Sequence, residues 1–451
     1  MEKENKLGTA PIGKLILSLS LPTVAAQLVN LLYNIVDRMY VGRIPGTGSL
    51  ALAGLGVTFP IIMLISAFAM LAGMGAPRAA IAMGANNYKQ AEKYLGNSAL
   101  LLIIFSIILS VVFFFTKDSI LLAFGASENT LPYASDYITI YLIGTIFVQI
   151  TLGLNMFITN QGFSKTSMIT VCIGAVLNIA LDPLFIFVFG MGVKGAALAT
   201  IISQGVSCLW VLIFLTGKRT MLKLKLESLK PDIRIILSIL ALGVSPFVMQ
   251  ATECLIQLTF NKGMITYGND MYVAVMSVLF SIMQLVWMPL SGFAQGVQPI
   301  IGFNYGARKF DRVKKAFRIQ FTISIIFSLV TVGAVELMPG VFLGLFSNDA
   351  ALIETGSNAL RLFMAGMAIM GAQSACQQTF IALGEAKSSM FLALLRKVIL
   401  LFPLAIIIPI ITGTGVWGLF AAEPISDVIA VCVTTTMFFT RSKKLLDPNR
   451  A

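Results

Sequence analysis

Twelve long apolar runs constrain this chain more strongly than any other feature of its sequence. The runs begin near Leu15, Leu50, Leu95, Ile138, Met168, Val193, Ile235, Met271, Ile319, Leu362, Met390 and Val416. A helix needs about 20 residues to cross the hydrocarbon core of a bilayer. Only 12% of the 451 residues are charged and 57% are hydrophobic, whereas a soluble domain is about 25% charged. We therefore predict an all-α polytopic membrane protein with twelve transmembrane helices.

The lysine and arginine residues indicate how these helices are oriented. With the N-terminus in the cytoplasm, 24 of the 32 basic residues fall in cytoplasmic segments. Only Arg43, Lys117, Lys194 and Lys262 fall in loops on the other side. The positive-inside rule thus predicts a protein of the cell membrane with both termini cytoplasmic. The net charge of +12 then reflects this topology and the anionic inner leaflet, and we expect no nucleic-acid partner.

The sequence contains an internal repeat at an offset of 222 residues. Pro77 aligns with Pro299, Gly84 aligns with Gly306, and the segment GFSKTSM (162–168) aligns with GEAKSSM (384–390). The repeat predicts two pseudo-symmetric six-helix lobes, residues 1–216 and 235–451, joined by a cytoplasmic linker of residues 217–234. Because six is an even number, the two lobes have the same orientation. Many transporters place a site between two such halves and open it to alternate sides.

The residue types exclude several classes of chemistry. The chain has no histidine, and its five cysteines lie singly within apolar runs. Histidine is the usual general base and metal ligand near neutral pH, and neither a metal-binding cysteine pattern nor a phosphate-binding loop is present. We therefore expect a protein that is not an enzyme and has no cofactor. Any proton chemistry must use carboxylates.

Two aspartates stand out within the predicted spans. Asp182 lies in the fifth span directly before Pro183, and Asn178 lies one helical turn earlier on the same face. An ionised aspartate at the centre of a span costs roughly 2.5–3.5 kcal/mol on insertion scales, and proline bends a helix. Asp37 lies in the first span. Alternatively, Asp182 could bond to backbone freed by the proline, and the neighbouring Arg38 could neutralise Asp37.

Five segments together resemble the MATE (multidrug and toxic compound extrusion) family of transporters, closest to its MepA-like branch. They are LPTVAAQLVNLLYNIVDRMYVG (21–42), APRAAIAMGANNYKQAEK (76–93), NIALDP (178–183), VQPIIGFNYGARKFDRVKK (297–315) and GVWGLFAAEPISDVI (415–429). The resemblance implies a twelve-helix exporter driven by a proton or sodium gradient. It also implies a site for the coupling cation, H⁺ or Na⁺, at Asp37, Asn178, Asp182 and Thr200.

The second lobe offers further acids within its spans. Glu253 lies in a polar line of the seventh span, and Glu423 and Asp427 share a face of the twelfth. Each could take part in cation binding or could pair with Arg396 or Lys397. The candidates for a substrate cavity are Asn155, Gln250, Glu253, Gln257, Met288, Gln373, Glu423 and Asp427. The methionines of the eighth and tenth spans could adapt to varied substrates or serve ordinary packing.

These features favour a cation-coupled antiporter that exports cationic, amphipathic drugs or toxins by alternating access, with each chain working as a monomer in the lipid bilayer. The alternative is a lipid-linked saccharide flippase of the same superfamily. A flippase would hold a pyrophosphate group in a strongly cationic cavity, as the resemblance implies. Only four basic residues lie within the spans of this chain: Arg38, Arg361, Arg396 and Lys397.

Overall fold

The computed structural model describes residues 5–346 and 349–447, in which all regular structure is helical. Eleven helices in these ranges are long and apolar enough to cross a membrane, and a bent pair forms a twelfth span. Named α1 to α12, they are Ile12–Gly42, Gly48–Gly84, Tyr88–Ala123, Leu131–Ile143 with Thr145–Asn160, Ser164–Val188, Val193–Thr216, Ile233–Tyr267, Met271–Gly306, Phe310–Leu337, Ala350–Ala382, Ala386–Thr412 and Val416–Leu445. The predicted twelve-helix membrane fold is thus confirmed. Lys3 and Arg450, which belong to the predicted cytoplasmic charge, and the two termini lie outside the described residues.

Three membrane helices contain irregular turns. In α5 the α-helix ends at Pro183 and continues as a π-helical turn, Leu184–Val188. A second π-helical turn, Leu395–Leu401, interrupts α11 just before Pro403, and a 3₁₀ turn, Ala365–Ile369, interrupts α10. The turn in α5 directly follows Pro183, a residue that removes one backbone donor from a helix. Turns of the π type are frequent at functional sites.

The apolar core shows where the two halves of the chain meet. One cluster of buried residues lies entirely between Val41 and Ile201, and another lies entirely between Ile256 and Val431. A third cluster combines both halves and includes Leu7, Ala80 and Phe303. The halves therefore share a core at the end of the helices that carries most of the basic residues, and they have separate cores toward the other end.

Two glycines that the repeat aligns allow this close contact. A Cβ atom added to Gly84 would lie 1.9 Å from the carbonyl oxygen of Phe303. A Cβ atom added to Gly306 would lie 1.9 Å from the carbonyl oxygen of Ile81. Neither position has room for a side chain, so the ends of α2 and α8 touch through their backbones.

The residues before α1 also join the two halves at the end that carries most of the basic residues, here called the closed end. A short helix, Lys6–Thr9, precedes α1, and Leu7 is only 2% exposed. Asn304 at the end of α8 donates a hydrogen bond to the Leu7 carbonyl (2.9 Å), and Arg312 of α9 donates one to the Ala10 carbonyl (2.7 Å). The start of the first half is thus attached to two helices of the second half.

We expect Gly84→Ala to separate the ends of α2 and α8. Overpacking a tight contact costs about 1–3 kcal/mol, which is enough to reduce the closed population severalfold. Double electron–electron resonance between spin labels at positions 89 and 315 should then show longer distances than in the parent protein. Gly56→Ala in the same helix is the control, since a Cβ atom there meets nothing within 4 Å. Unchanged distances in Gly84→Ala would contradict the backbone contact.

Candidate functional site

Two carboxylates lie together inside the first half. Asp37 of α1 is 9% exposed and Asp182 of α5 is fully buried, and their side chains are within hydrogen-bonding reach of each other. Among the described residues, Asp37 Oδ1 and Asp182 Oδ2 have no hydrogen-bond donor. Two ionised carboxylates repel each other and neither can donate. This contact is therefore favourable only when a proton or a small cation lies between the two side chains.

The polar neighbours of the acid pair come from α5 and α6. Asn178 Nδ2 lies 3.2 Å from Asp182 Oδ1 and 3.4 Å from Thr200 Oγ1, and donates toward both. The Thr200 hydroxyl in turn donates to the Ala196 carbonyl at 3.0 Å. Asn178 Oδ1 is buried without a partner. All four predicted cation-coupling residues thus lie in one cluster, and their unpaired atoms are oxygens, the ligand type that protons and hard cations such as Na⁺ require.

Tyrosines surround this cluster, and two of them were missed in the sequence. Tyr33 of α1 lies near both acids, as its spacing from Asp37 predicts. Tyr137 of α4 is within hydrogen-bonding reach of Thr200, and its ring stacks on Tyr141 at a centroid distance of 6.2 Å. Two tyrosines one helical turn apart within a span are the signal that could have identified them.

The contacts only partly match the packing alternatives for the two aspartates, since Arg38 attracts the Asp37 carboxylate electrostatically without forming an ion pair with it. The Arg38 guanidinium lies 6.0 Å from the centroid of the Phe59 ring, and no ion pair joins it to Asp37 in the described part of the chain. Asp182 accepts its hydrogen bond from the Asn178 side chain rather than from backbone freed by Pro183.

The buried acids of the second half are paired with bases. Lys397 Nζ lies 2.8 Å from Glu253 Oε2, and Arg396 lies 2.8 Å from Asp427 Oδ1 and 3.2 Å from Glu423 Oε1. Arg396, Lys397, Glu423 and Asp427 are all at least nine-tenths buried. Of the two interpretations of these acids, pairing with the eleventh span is the one observed here. Two basic side chains face three acids, so the network retains one formal negative charge when every group is ionised.

Two of the predicted cavity residues form contacts that link helices. Asn155 of α4 donates to the Ser167 carbonyl at 3.3 Å, near the start of α5. Ser167 is 15 residues, or about 22 Å along the helix, before Asp182. Gln250 of α7 lies 2.8 Å from the sulfur of Met63 in α2 and so joins the two halves.

The other cavity candidates differ in exposure. Gln257 and Met288 are half-buried, whereas Gln373 is buried in α10. Glu423 and Asp427 are enclosed by their ion pairs and are no more than 1% exposed. The remaining methionines considered for an adaptable cavity are packed in the core of the second half: Met276, Met283, Met364, Met367 and Met370. Ordinary packing therefore accounts for those five.

The sequence of this chain is similar to those of known proteins over most of its length. The profile of the MatE family matches residues 22–184 and 246–407. The chain is 27% identical over 432 residues to the "Multidrug export protein MepA" of Staphylococcus aureus (strain NCTC 8325 / PS 47), covering 94% of each chain. A relative of the same name from Staphylococcus haemolyticus (strain JCSC1435) is 27% identical over 435 residues, or 96% of this chain and 94% of its own.

Solved structures share this fold over nearly the full length of the chain. A structure described as the outward-facing conformation of a multidrug resistance MATE family transporter of the MOP superfamily has a TM-score of 0.91, 26% identity and 99% coverage of both chains. A structure of a MATE protein in the bent conformation has the same TM-score and identity, and covers 99% of this chain and 98% of its own.

We expect Arg396→Ala to destabilise the protein strongly. Removing one partner of a buried ion pair costs about 3–5 kcal/mol because the remaining charges stay buried without compensation. The thermal unfolding midpoint of the purified protein in detergent measures this loss. Lys194→Ala is the control, because the pair of Lys194 with Asp136 is about half exposed on both sides and such pairs contribute at most about 1 kcal/mol. Equal midpoints for the two variants would refute the proposed difference.

Proposed function

The chain belongs to the MatE family, and on that premise we propose that it is a secondary antiporter that exports cationic, amphipathic molecules in exchange for protons or sodium ions. Its activity is transport by alternating access, without catalysis. The observation that carries the proposal is the buried contact between Asp37 and Asp182. An acid pair of this kind, enclosed by membrane helices, is neutral or negative according to whether a coupling ion occupies it.

The exchange follows from the electrostatics of the acid pair. When Asp37 and Asp182 are both ionised and empty, they repel each other and attract an organic cation into the first half. When a proton or Na⁺ enters, the charge falls and the organic cation loses its electrostatic attraction. The two acids are on different helices, α1 and α5, so occupancy changes the force between these helices. The π-helical turn after Pro183 gives α5 a place to bend in response.

The direction of opening is supported by the distribution of the core. Contact between the halves at the basic end, with separate cores beyond, corresponds to a protein closed toward the cytoplasm. Cations entering from outside then reach the acid pair first. An inward gradient of one pH unit supplies about 1.4 kcal/mol per proton, and 100 mV adds about 2.3 kcal/mol per charge moved.

The substrate and the membrane setting form the rest of the proposal. Relatives named for multidrug export support small organic cations as substrates. The chain acts as a monomer, since both halves and the acid pair lie within one polypeptide. It lies in the cell membrane with both termini cytoplasmic, and it has no nucleic-acid partner or cofactor.

We expect Asp182→Asn to abolish ion-driven export. The amide keeps the shape of the side chain but cannot take up or release the coupling cation. Efflux of a fluorescent organic cation from proteoliposomes, driven by an imposed pH or sodium gradient, should fall at least tenfold. Asp118→Asn is the matched control, because Asp118 is exposed and pairs with Lys117 at 3.2 Å. Wild-type efflux by Asp182→Asn would remove this residue from the mechanism.

Binding at equilibrium distinguishes the antiporter from the flippase. If the coupling ion and the organic cation compete, each must weaken the binding of the other by the same factor. Titrating the fluorescent cation into purified protein at several pH values and sodium concentrations measures this factor. Affinity that is independent of both ions would exclude coupled antiport and favour a lipid-linked saccharide flippase.

We expect cysteine labelling to report the orientation. In a background without the five native cysteines, a cysteine at Lys262 should react in intact cells with a membrane-impermeant maleimide. A cysteine at Lys218 should react only after the cells are permeabilised. Both lysines are exposed, so accessibility to the reagent depends on the side of the membrane. The reverse pattern would invert the proposed topology.

A further inference from the structure

An open groove of about 560 Å³ lies between the basic ends of α9 and α12. Its floor is aromatic, since the rings of Phe317 and Phe438 stack at a centroid distance of 4.3 Å and Phe321 packs against Phe439 at 5.8 Å. Phe439 is 47% exposed. The groove thus presents apolar surface at the level where a membrane helix leaves the bilayer.

Positive charge surrounds this aromatic floor. Lys314, Arg318 and Lys443 line the groove and are exposed, and a single acid, Asp447, lines it with them. None of these three basic side chains forms an ion pair within residues 5–346 and 349–447. The lining therefore combines an apolar surface with an excess of uncompensated cations.

The internal repeat provides a comparison with the first half. At the offset of 222 residues, Lys314 aligns with Glu92 and Arg318 aligns with Gly96, both in α3. There the linker between the halves covers the helix ends. Lys225 pairs with Glu92 at 2.7 Å, and a Cβ atom on Gly96 would lie 2.0 Å from the carbonyl oxygen of Ser228.

The linker also provides the apolar cover in the first half. Leu222 is fully buried, and the Leu224 amide donates to the Leu215 carbonyl at the end of α6 with a distance of 3.0 Å. Between α9 and α12 no described segment takes this place. The anionic Glu92, which receives a lysine of the linker, is replaced there by the cationic Lys314. The second-half groove is thus suited to an occupant of opposite charge, and no segment within residues 5–346 and 349–447 supplies one.

We propose that this groove binds an anionic glycerophospholipid. Its phosphate lies among Lys314, Arg318 and Lys443, and an acyl chain follows the exposed edge of Phe439. The bilayer brings this ligand to the groove directly, and basic pockets between helices on the cytoplasmic side suit anionic headgroups. Arginine and lysine both form strong hydrogen bonds with phosphate oxygens. The inference goes beyond the transport function and rests on the proposed orientation only.

Lipid exchange tests the proposal with two triple variants. The groove variant is Lys314→Gln/Arg318→Gln/Lys443→Gln, and the control is Lys89→Gln/Lys165→Gln/Lys218→Gln, which removes the same charge from exposed positions on the same side. Native mass spectrometry of delipidated protein, titrated with phosphatidylglycerol against phosphatidylcholine, measures the affinities. We expect the affinity for phosphatidylglycerol to fall at least tenfold in the groove variant and less than twofold in the control.

Two further measurements keep the test independent of variant folding. On the parent protein, a photoreactive phosphatidylglycerol should label peptides from α9 and α12 in preference to those from α3 and α6. Inorganic phosphate at millimolar concentration should not displace it, because the acyl chain contributes to binding. Equal losses in the two triple variants, uniform labelling, or full displacement by phosphate would each overturn the proposal, the last by assigning the groove to a free anion.

Discussion

A carboxylate enclosed by membrane-spanning helices needs a compensating partner, and the arrangement of this protein depends on how that need is met. In the first half two acids, Asp37 and Asp182, face each other, and under the proposed antiport the partner is a cation that binds and dissociates. In the second half the acids face Arg396 and Lys397, which are permanently attached. The two halves, which the internal repeat relates in sequence, thus compensate buried charge in different ways. In the first half no basic side chain forms an ion pair with either acid among the described residues.

The difference also assigns different mechanical roles to the two halves. An ion-pair network that joins α7, α11 and α12 holds those helices together whatever ion is present. Under the proposed mechanism, the acid pair holds α1 and α5 together only while an ion is bound. Because the Thr23 hydroxyl of α1 also donates to the Gly292 carbonyl of α8 at 2.6 Å, a change at the acid pair acts on a helix that contacts both halves.

Features set by the chain itself were predictable from the sequence, and features set by packing were not. The number of helices follows from apolar length, and the contact of Asn178 with Asp182 follows from their separation of one helical turn. Asn34 has a similar spacing from Asp37, but its side chain donates to the Asn30 carbonyl, because a polar residue on a helix face can bond within its own helix. The approach of Asp37 to Asp182 and the position of Tyr137 depend on how separate helices pack, and Tyr137 also depends on the 60° bend in α4. Only the resemblance to a known family indicated the first, and the spacing of Tyr137 and Tyr141 marks them as a pair without indicating which residues they contact.

The attachment of residues 5–10 to α8 and α9 has a consequence for how the chain is made. Leu7 is synthesised almost three hundred residues before Asn304, its hydrogen-bond donor. During translation, residues 5–10 therefore remain without these partners while α1 to α7 are inserted. The closed end therefore cannot assemble until α8 has been synthesised, although residues 5–10 are made long before.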